Sequence, residues 1–136
     1  MKTKVLIIKH DLKSATDIKK KLAQKSNIII CDVLSDGELA VASIKKNNPD
    51  IIILDLLLPN KDGIAVMEEV NQLGDLGYKF IVKGNLSQIK FFESVCKGNL
   101  KNIFVEEYTN IQQSDLTTVA SPGRLNPGFL VNIGSG

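Results

Sequence analysis

Residues 51–63 read IIILDLLLPNKDG. An unbroken apolar run ends in one aspartate, Asp55. Four residues later stands Pro59, followed by Asp62 and Gly63. A carboxylate at the end of so apolar a run is costly to place unless something there requires it. The run does not alternate apolar with polar residues. That is the signature of a central parallel strand covered on both faces, here residues 49–55.

Working outward, the same alternation of strand and helix repeats. Val5–Ile8 reads as a short buried strand. Residues 12–26 follow, with Leu12, Ala15, Ile18 and Leu22 at helical spacing and lysines on the other face. Residues 27–34 (NIIICDVL) read as a second strand. A helix begins after the turn residues Ser35, Asp36 and Gly37, with Leu39, Ala42 and Ile44 expected inward. After the strand at 49–55, residues 63–74 form a helix with Ile64, Met67, Val70 and Leu73 in phase. Residues 78–84 (YKFIVKG) are a fourth strand. Residues 86–98 are a helix with Ile89, Phe92, Val95 and Cys96 on one side. Residues 101–107 (KNIFVEE) are a fifth strand. Five such units call for a doubly wound α/β fold, a parallel sheet with helices on both faces. Chemistry in such sheets sits at the carboxyl ends of the strands. The polar residues there are Lys9, His10 and Asp11, then Asp55, then Lys83, then Glu106 and Glu107.

The totals exclude several functions. The chain has 136 residues and a net charge of +2, with Arg124 its only arginine. That argues against direct nucleic-acid binding and against an anionic membrane surface. Two cysteines outside any CxxC pair and one histidine cannot build a zinc site. The apolar run at 5–8 is too short for a signal peptide or a membrane span, which points to a cytoplasmic protein. No glycine-rich loop follows strand one, against a nucleotide-binding enzyme.

An aspartate at a buried strand end can attack phosphorus and form an acyl phosphate, given a divalent cation to offset the repulsion between the two anions. The order apolar strand, Asp55, Pro59, Asp62, Gly63 resembles the phosphoacceptor segment of response regulator receiver (CheY-like) domains. The resemblance covers about residues 3–108, with the order of elements intact. The strand-one stretch, the NPD at 48–50 and the helix from Asp62 look most like sporulation-type receivers. It implies a flavodoxin-like sheet of order 2-1-3-4-5, Asp55 as phosphoacceptor, and a weak Mg²⁺ site from Asp55, Asp11 and the backbone carbonyl of Leu57. It implies a histidine kinase, a phosphotransferase or another signalling protein as partner. Enzymatic activity would be limited to self-phosphorylation and dephosphorylation at Asp55.

The sequence departs from the family pattern at three points. The acid pair after strand one is Lys9-His10 here, with Asp11 next. Asp11 reads either as a displaced metal ligand or as a helix N-cap. Lys83 stands where a threonine or serine is expected. Glu106 and Glu107 stand where the family has a lysine and a proline, and the aromatic switch position falls on Ile103 or Phe104. Lys9 or Lys83 is therefore expected to pair with Asp55 in place of the cation, with Glu106 or Glu107 taking the remaining lysine. Such a site belongs to a degenerate receiver acting through protein contacts. The alternative is a working receiver phosphorylated on Asp55 with Mg²⁺.

Composition changes at residue 109. Residues 109–136 hold two charges, two prolines and four glycines, and read as a linker, tail or appendage after a receiver-like domain at 1–108. The expected fifth helix is weak or missing. A homodimer through the face of helix four and strand five would cover the apolar surface this leaves.

Overall fold

The computed structural model describes residues 2–74, 77–96 and 103–107. In chain order they form β1 (Thr3–Ile8), α1 (Leu12–Ala23), β2 (Ile28–Leu34), a 3₁₀ turn (Gly37–Leu39), α2 (Ala40–Asn47), β3 (Ile51–Asp55), α3 (Gly63–Asn71), β4 (Lys79–Gly84), α4 (Leu86–Cys96) and β5 (Ile103–Glu107). The five strands make one parallel sheet of order β2-β1-β3-β4-β5. The last helix and the segment 109–136 lie outside the described residues.

Alternation of side chains across the sheet divides the core into two layers. One holds Leu6, Ile8, Ile52, Leu54 and Val82 under Ile44 of α2, Val66, Met67 and Val70 of α3, and Ile89 and Phe92 of α4. The other holds Val5, Ile7, Ile51, Ile53 and Ile81 under Ala15, Ile18 and Leu22 of α1. Every residue of β3 is buried, as its unbroken apolar run requires.

Four inward assignments are corrected, at Leu39, Ala42, Val95 and Leu12. Leu39 is 56% exposed and Ala42 also faces out, while Ala40, Val41 and Ile44 are buried. The segment opens as a 3₁₀ turn capped by Asp36, and that tighter winding shifts the phase of the helix after it. Val95 is 47% exposed, because Ile89, Phe92 and Cys96 alone fill the inward stripe of α4. Leu12, at the head of α1, is exposed as well.

The edge strand β2 is irregular. Val5 pairs with Ile30 but Leu6 pairs with Asp32, so Cys31 is one residue too many and makes a bulge. Its thiol lies 3.5 Å from the Val5 carbonyl. Among the described residues, no helix is long and apolar enough to cross a membrane.

Candidate functional site

Register brings four charged residues into one row. Ile8 pairs with Leu54, which sets Lys9 beside Asp55; Asp55 pairs with Lys83, and Lys83 with Glu106. Paired residues of parallel strands point to the same face, so the row continues the layer that holds Ile7, Ile53 and Ile81. Across β1, β3, β4 and β5 the signs run plus, minus, plus, minus. All four side chains are buried, with exposures of 3% for Lys9, 3% for Asp55, 1% for Lys83 and 3% for Glu106.

Ion pairs link neighbours in the row. Lys9 Nζ stands 3.7 Å from Asp55 Oδ1, and Lys83 Nζ donates to Glu106 Oε1 at 3.1 Å. The backbone N–H of His10 donates to Asp55 Oδ2 at 2.8 Å. Of the two lysines the sequence offers for Asp55, Lys9 lies within ion-pair distance through the β1–β3 pairing, and of the two acids it offers at strand five, Glu106 takes Lys83. Glu107, one residue on, is exposed.

Burial lowers the Lys83 ammonium from its ordinary 10.5 to about 8, against the pull of Glu106, and Lys9 pushes the same way as burial. The unfolded chain holds this proton up to about pH 10.5. Stability therefore rises with pH between about 8 and 10.5, and below pH 8 the native state carries a desolvation cost on the order of 3 kcal/mol. The thiols of Cys31 and Cys96 are pushed up by burial and oppose this rise above pH 9. The expected result is thus a comparison. In urea unfolding from pH 7.5 to 10, the wild type gains on a Lys83→Met/Glu106→Leu variant; parallel curves would refute the shift.

Asp11 caps α1. Its Oδ1 accepts from the Lys13 N–H at 3.0 Å and its Oδ2 from the Ser14 hydroxyl at 2.8 Å, and these bonds hold its carboxyl below the usual range. Asp62 caps α3, accepting from the Ala65 N–H at 2.8 Å. The glycine after it is sterically required: a Cβ on Gly63 would lie 2.4 Å from the Asp55 carbonyl oxygen. The Asp-Gly pair thus starts α3 tight against the residue that carries the site.

Leu57, whose carbonyl the sequence assigned to a metal, lies in the loop between β3 and α3, and its side chain is 63% exposed. That loop is clamped by the one after β2. The Gly37 N–H donates to the Pro59 carbonyl at 3.2 Å, and Asn60 donates to Asp36 at 2.7 Å. Asn60 sits at φ +67, a left-handed conformation asparagine tolerates. Lys61 reaches both Glu38 and Glu69. Sequence reading treated Asp36-Gly37 as a simple turn and missed this clamp; it also missed the His10 N–H, since a backbone donor leaves no mark in the residue type.

The profile of the response regulator receiver domain matches residues 5–101. The chain belongs to that family. A probable C4-dicarboxylate response regulator, DctR, of Bacillus subtilis is 32% identical to this receiver over 69 residues, covering 51% of the chain and 30% of the relative. The transcriptional regulatory protein DesR of the same organism is 31% identical over 71 residues, covering 52% and 34%. The chain spans about a third of the length of these curated relatives. The receiver domain of a NarL response regulator from Mycobacterium tuberculosis has the same fold at a TM-score of 0.69, with 17% identity, covering 90% of this chain and 98% of its own. A CheX-CheY-BeF3-Mg complex from Borrelia burgdorferi matches at 0.67, with 23% identity over 88% and 87%.

Proposed function

We propose that this receiver is an atypical signalling module of a two-component or phosphorelay system, working through protein contacts without phosphoryl turnover at Asp55. The observation that carries the reading is the buried row Lys9–Asp55–Lys83–Glu106, which is neutral by itself. An acceptor carboxylate must meet a phosphoryl group with a cation at hand. Here an ammonium stands 3.7 Å from the carboxylate.

The residues present do not fit Mg²⁺. Both oxygens of Asp11 serve the α1 cap, and the Lys9 ammonium, 3.7 Å from Asp55 Oδ1, would repel a divalent cation held by Asp55. Among the described residues, no group of three or more His, Cys, Asp or Glu could hold a metal. Asp55 remains with the role of anchoring Lys9 and the His10 backbone. Lys83 and Glu106 are read as the second half of the lock.

The partner classes follow the family: a histidine kinase, a phosphotransferase or another signalling protein, in the cytoplasm, with no direct contact to nucleic acid. The narrower likeness to sporulation-type receivers rests on the strand-one and strand-three stretches. Phe91, 61% exposed, and Val95 support a contact face on α4, and a homodimer formed there would show in sedimentation equilibrium as a mass that Phe91→Glu halves.

The deciding experiment is intact mass spectrometry after incubation with a small phosphodonor and Mg²⁺, beside Asp55→Asn. No phosphoryl adduct is expected under conditions that label an ordinary receiver. An adduct on the wild type alone would establish the working receiver instead.

A further inference from the structure

The two edges of the sheet differ in how well they are covered. On β2 every residue after Ile28 is partly or fully exposed, as an edge strand with one neighbour should be. Among the described residues β5 also has one neighbour, β4, and Ile103, Phe104 and Val105 are half-buried. Glu106 breaks the pattern at 3% exposed, as does Lys83 beside it at 1%.

The described helices do not account for this burial. Lys83 and Glu106 continue the layer on the α1 side of the sheet, whereas α2, α3 and α4 lie on the other side. Among the described residues α1 is the helix on their side, and it packs chiefly against β1 and β2, away from β5 in the strand order. An ammonium and a carboxylate kept from water beside a sheet edge need a roof. The chain that follows β5 is the nearest source of one.

Residues 108–136 lie outside the described residues, and their sequence offers two apolar stretches. Ile111, Leu116 and Val119 are spaced five and three apart, which makes no single helical stripe, and Thr117, Thr118 and Val119 are stiff, poor helix formers. Asp115 among them brings a charge for which a roof over a neutral ion pair has no partner. Phe129-Leu130-Val131-Asn132-Ile133 carries no charge and is bounded by Gly128 and Gly134. In an extended chain Phe129, Val131 and Ile133 share one face. Residues 108–128 reach up to about 70 Å when extended, several times the width of five strands.

We propose that residues 129–133 seat on the outer flank of β5 as an added strand, with Phe129, Val131 and Ile133 turned to the α1 side beside Phe104 and Glu106, and so close the Lys83–Glu106 pair from water. The added backbone meets the outward N–H and C=O groups of β5, which an edge strand otherwise leaves open. The closure is independent of whether Asp55 accepts a phosphoryl group.

The test uses the full chain, acetylated by an N-hydroxysuccinimide ester and read lysine by lysine by peptide mass spectrometry at low and high micromolar protein. Lys83 should be labelled at least a hundredfold more slowly than the exposed Lys45. Phe129→Asp/Val131→Asp should speed labelling at Lys83 at least tenfold, speed amide exchange at residues 103–107 and leave Lys45 unchanged. Leu116→Asp/Val119→Asp should leave Lys83 within twofold. Amide exchange at residues 51–55 monitors the core; if the first variant loosens it, Val131→Ala/Ile133→Ala, with the core intact, must still raise Lys83 labelling several-fold. Lys83 labelling as fast as Lys45 in the wild type, or unchanged in the Phe129 and Val131 variants, overturns the proposal. Acceleration in the Leu116 variant alone gives the roof to the stretch just after β5 and overturns the choice of segment. Protection of Lys83 that rises with protein concentration gives it to a second copy and overturns the closure within one chain.

Discussion

Replacing Glu106 by leucine lowers the stability of the domain by about 3–5 kcal/mol at neutral pH, because it strands the Lys83 ammonium, and adding Lys83→Met to that variant recovers most of the loss. The reason is the burial of both groups, 1% and 3% exposed, around a 3.1 Å contact. Removing Glu106 takes away the carboxylate that stands 3.1 Å from the Lys83 ammonium, in the layer that holds Ile81. Removing both replaces a desolvated pair by hydrocarbon of similar volume. Glu106→Leu should melt about 10 °C or more below the wild type, and the double variant within a few degrees of it. Urea unfolding of the four proteins gives the coupling directly. Additive losses would mean that Lys83 and Glu106 do not act as a pair. The phosphodonor experiment is independent of this cycle, because a stable lock and an unreactive Asp55 are separate properties of the row.

The second large effect is at Gly37. A Cβ there would lie 1.6 Å from the Lys61 carbonyl oxygen and 2.6 Å from its carbonyl carbon, both backbone atoms that cannot step aside alone. Gly37→Ala therefore forces the loop after β2 away from the loop after β3 and breaks the Gly37–Pro59 hydrogen bond. A loss of about 3 kcal/mol is expected. Glu38→Ala, next door, removes only a surface ion pair to Lys61 at 3.7 Å and should change stability by less than about 0.5 kcal/mol. Equal losses at the two positions would show that side-chain charge, not backbone approach, holds the loops together.

The architecture was readable because β3 and its neighbours are apolar throughout and the helices between them are amphipathic; order β2-β1-β3-β4-β5 followed from the family resemblance. On α1 the reading held for Ala15, Ile18 and Leu22 and failed for Leu12, which heads the helix and is exposed. They were misread on α2, since nothing in Asp36-Gly37-Glu38 announces a 3₁₀ turn. Val95 was misplaced because it lies next to Cys96 on the stripe and only packing decides between them. At the site, the residue types pointed to an internal exchange of charges, but left two lysines and two acids to choose from. Register sets Asp55 between Lys9 and Lys83 and brings Glu106, not Glu107, beside Lys83, and register is a property of the assembled sheet. Asp11 had two readings of equal merit in the sequence, and the Lys13 N–H and Ser14 hydroxyl show the cap.

The bulge at Cys31 has a consequence for how this domain behaves at high concentration. β2 lies at the sheet edge and begins Ile28-Ile29-Ile30, with Ile29 exposed, a segment of strong strand preference offering backbone groups to any passing chain. An incoming strand could pair with that stretch for only three residues before the extra residue puts the ladder out of step. The irregularity that costs β1 and β2 some regular pairing thus keeps the most aggregation-prone edge of the sheet from growing into a fibre.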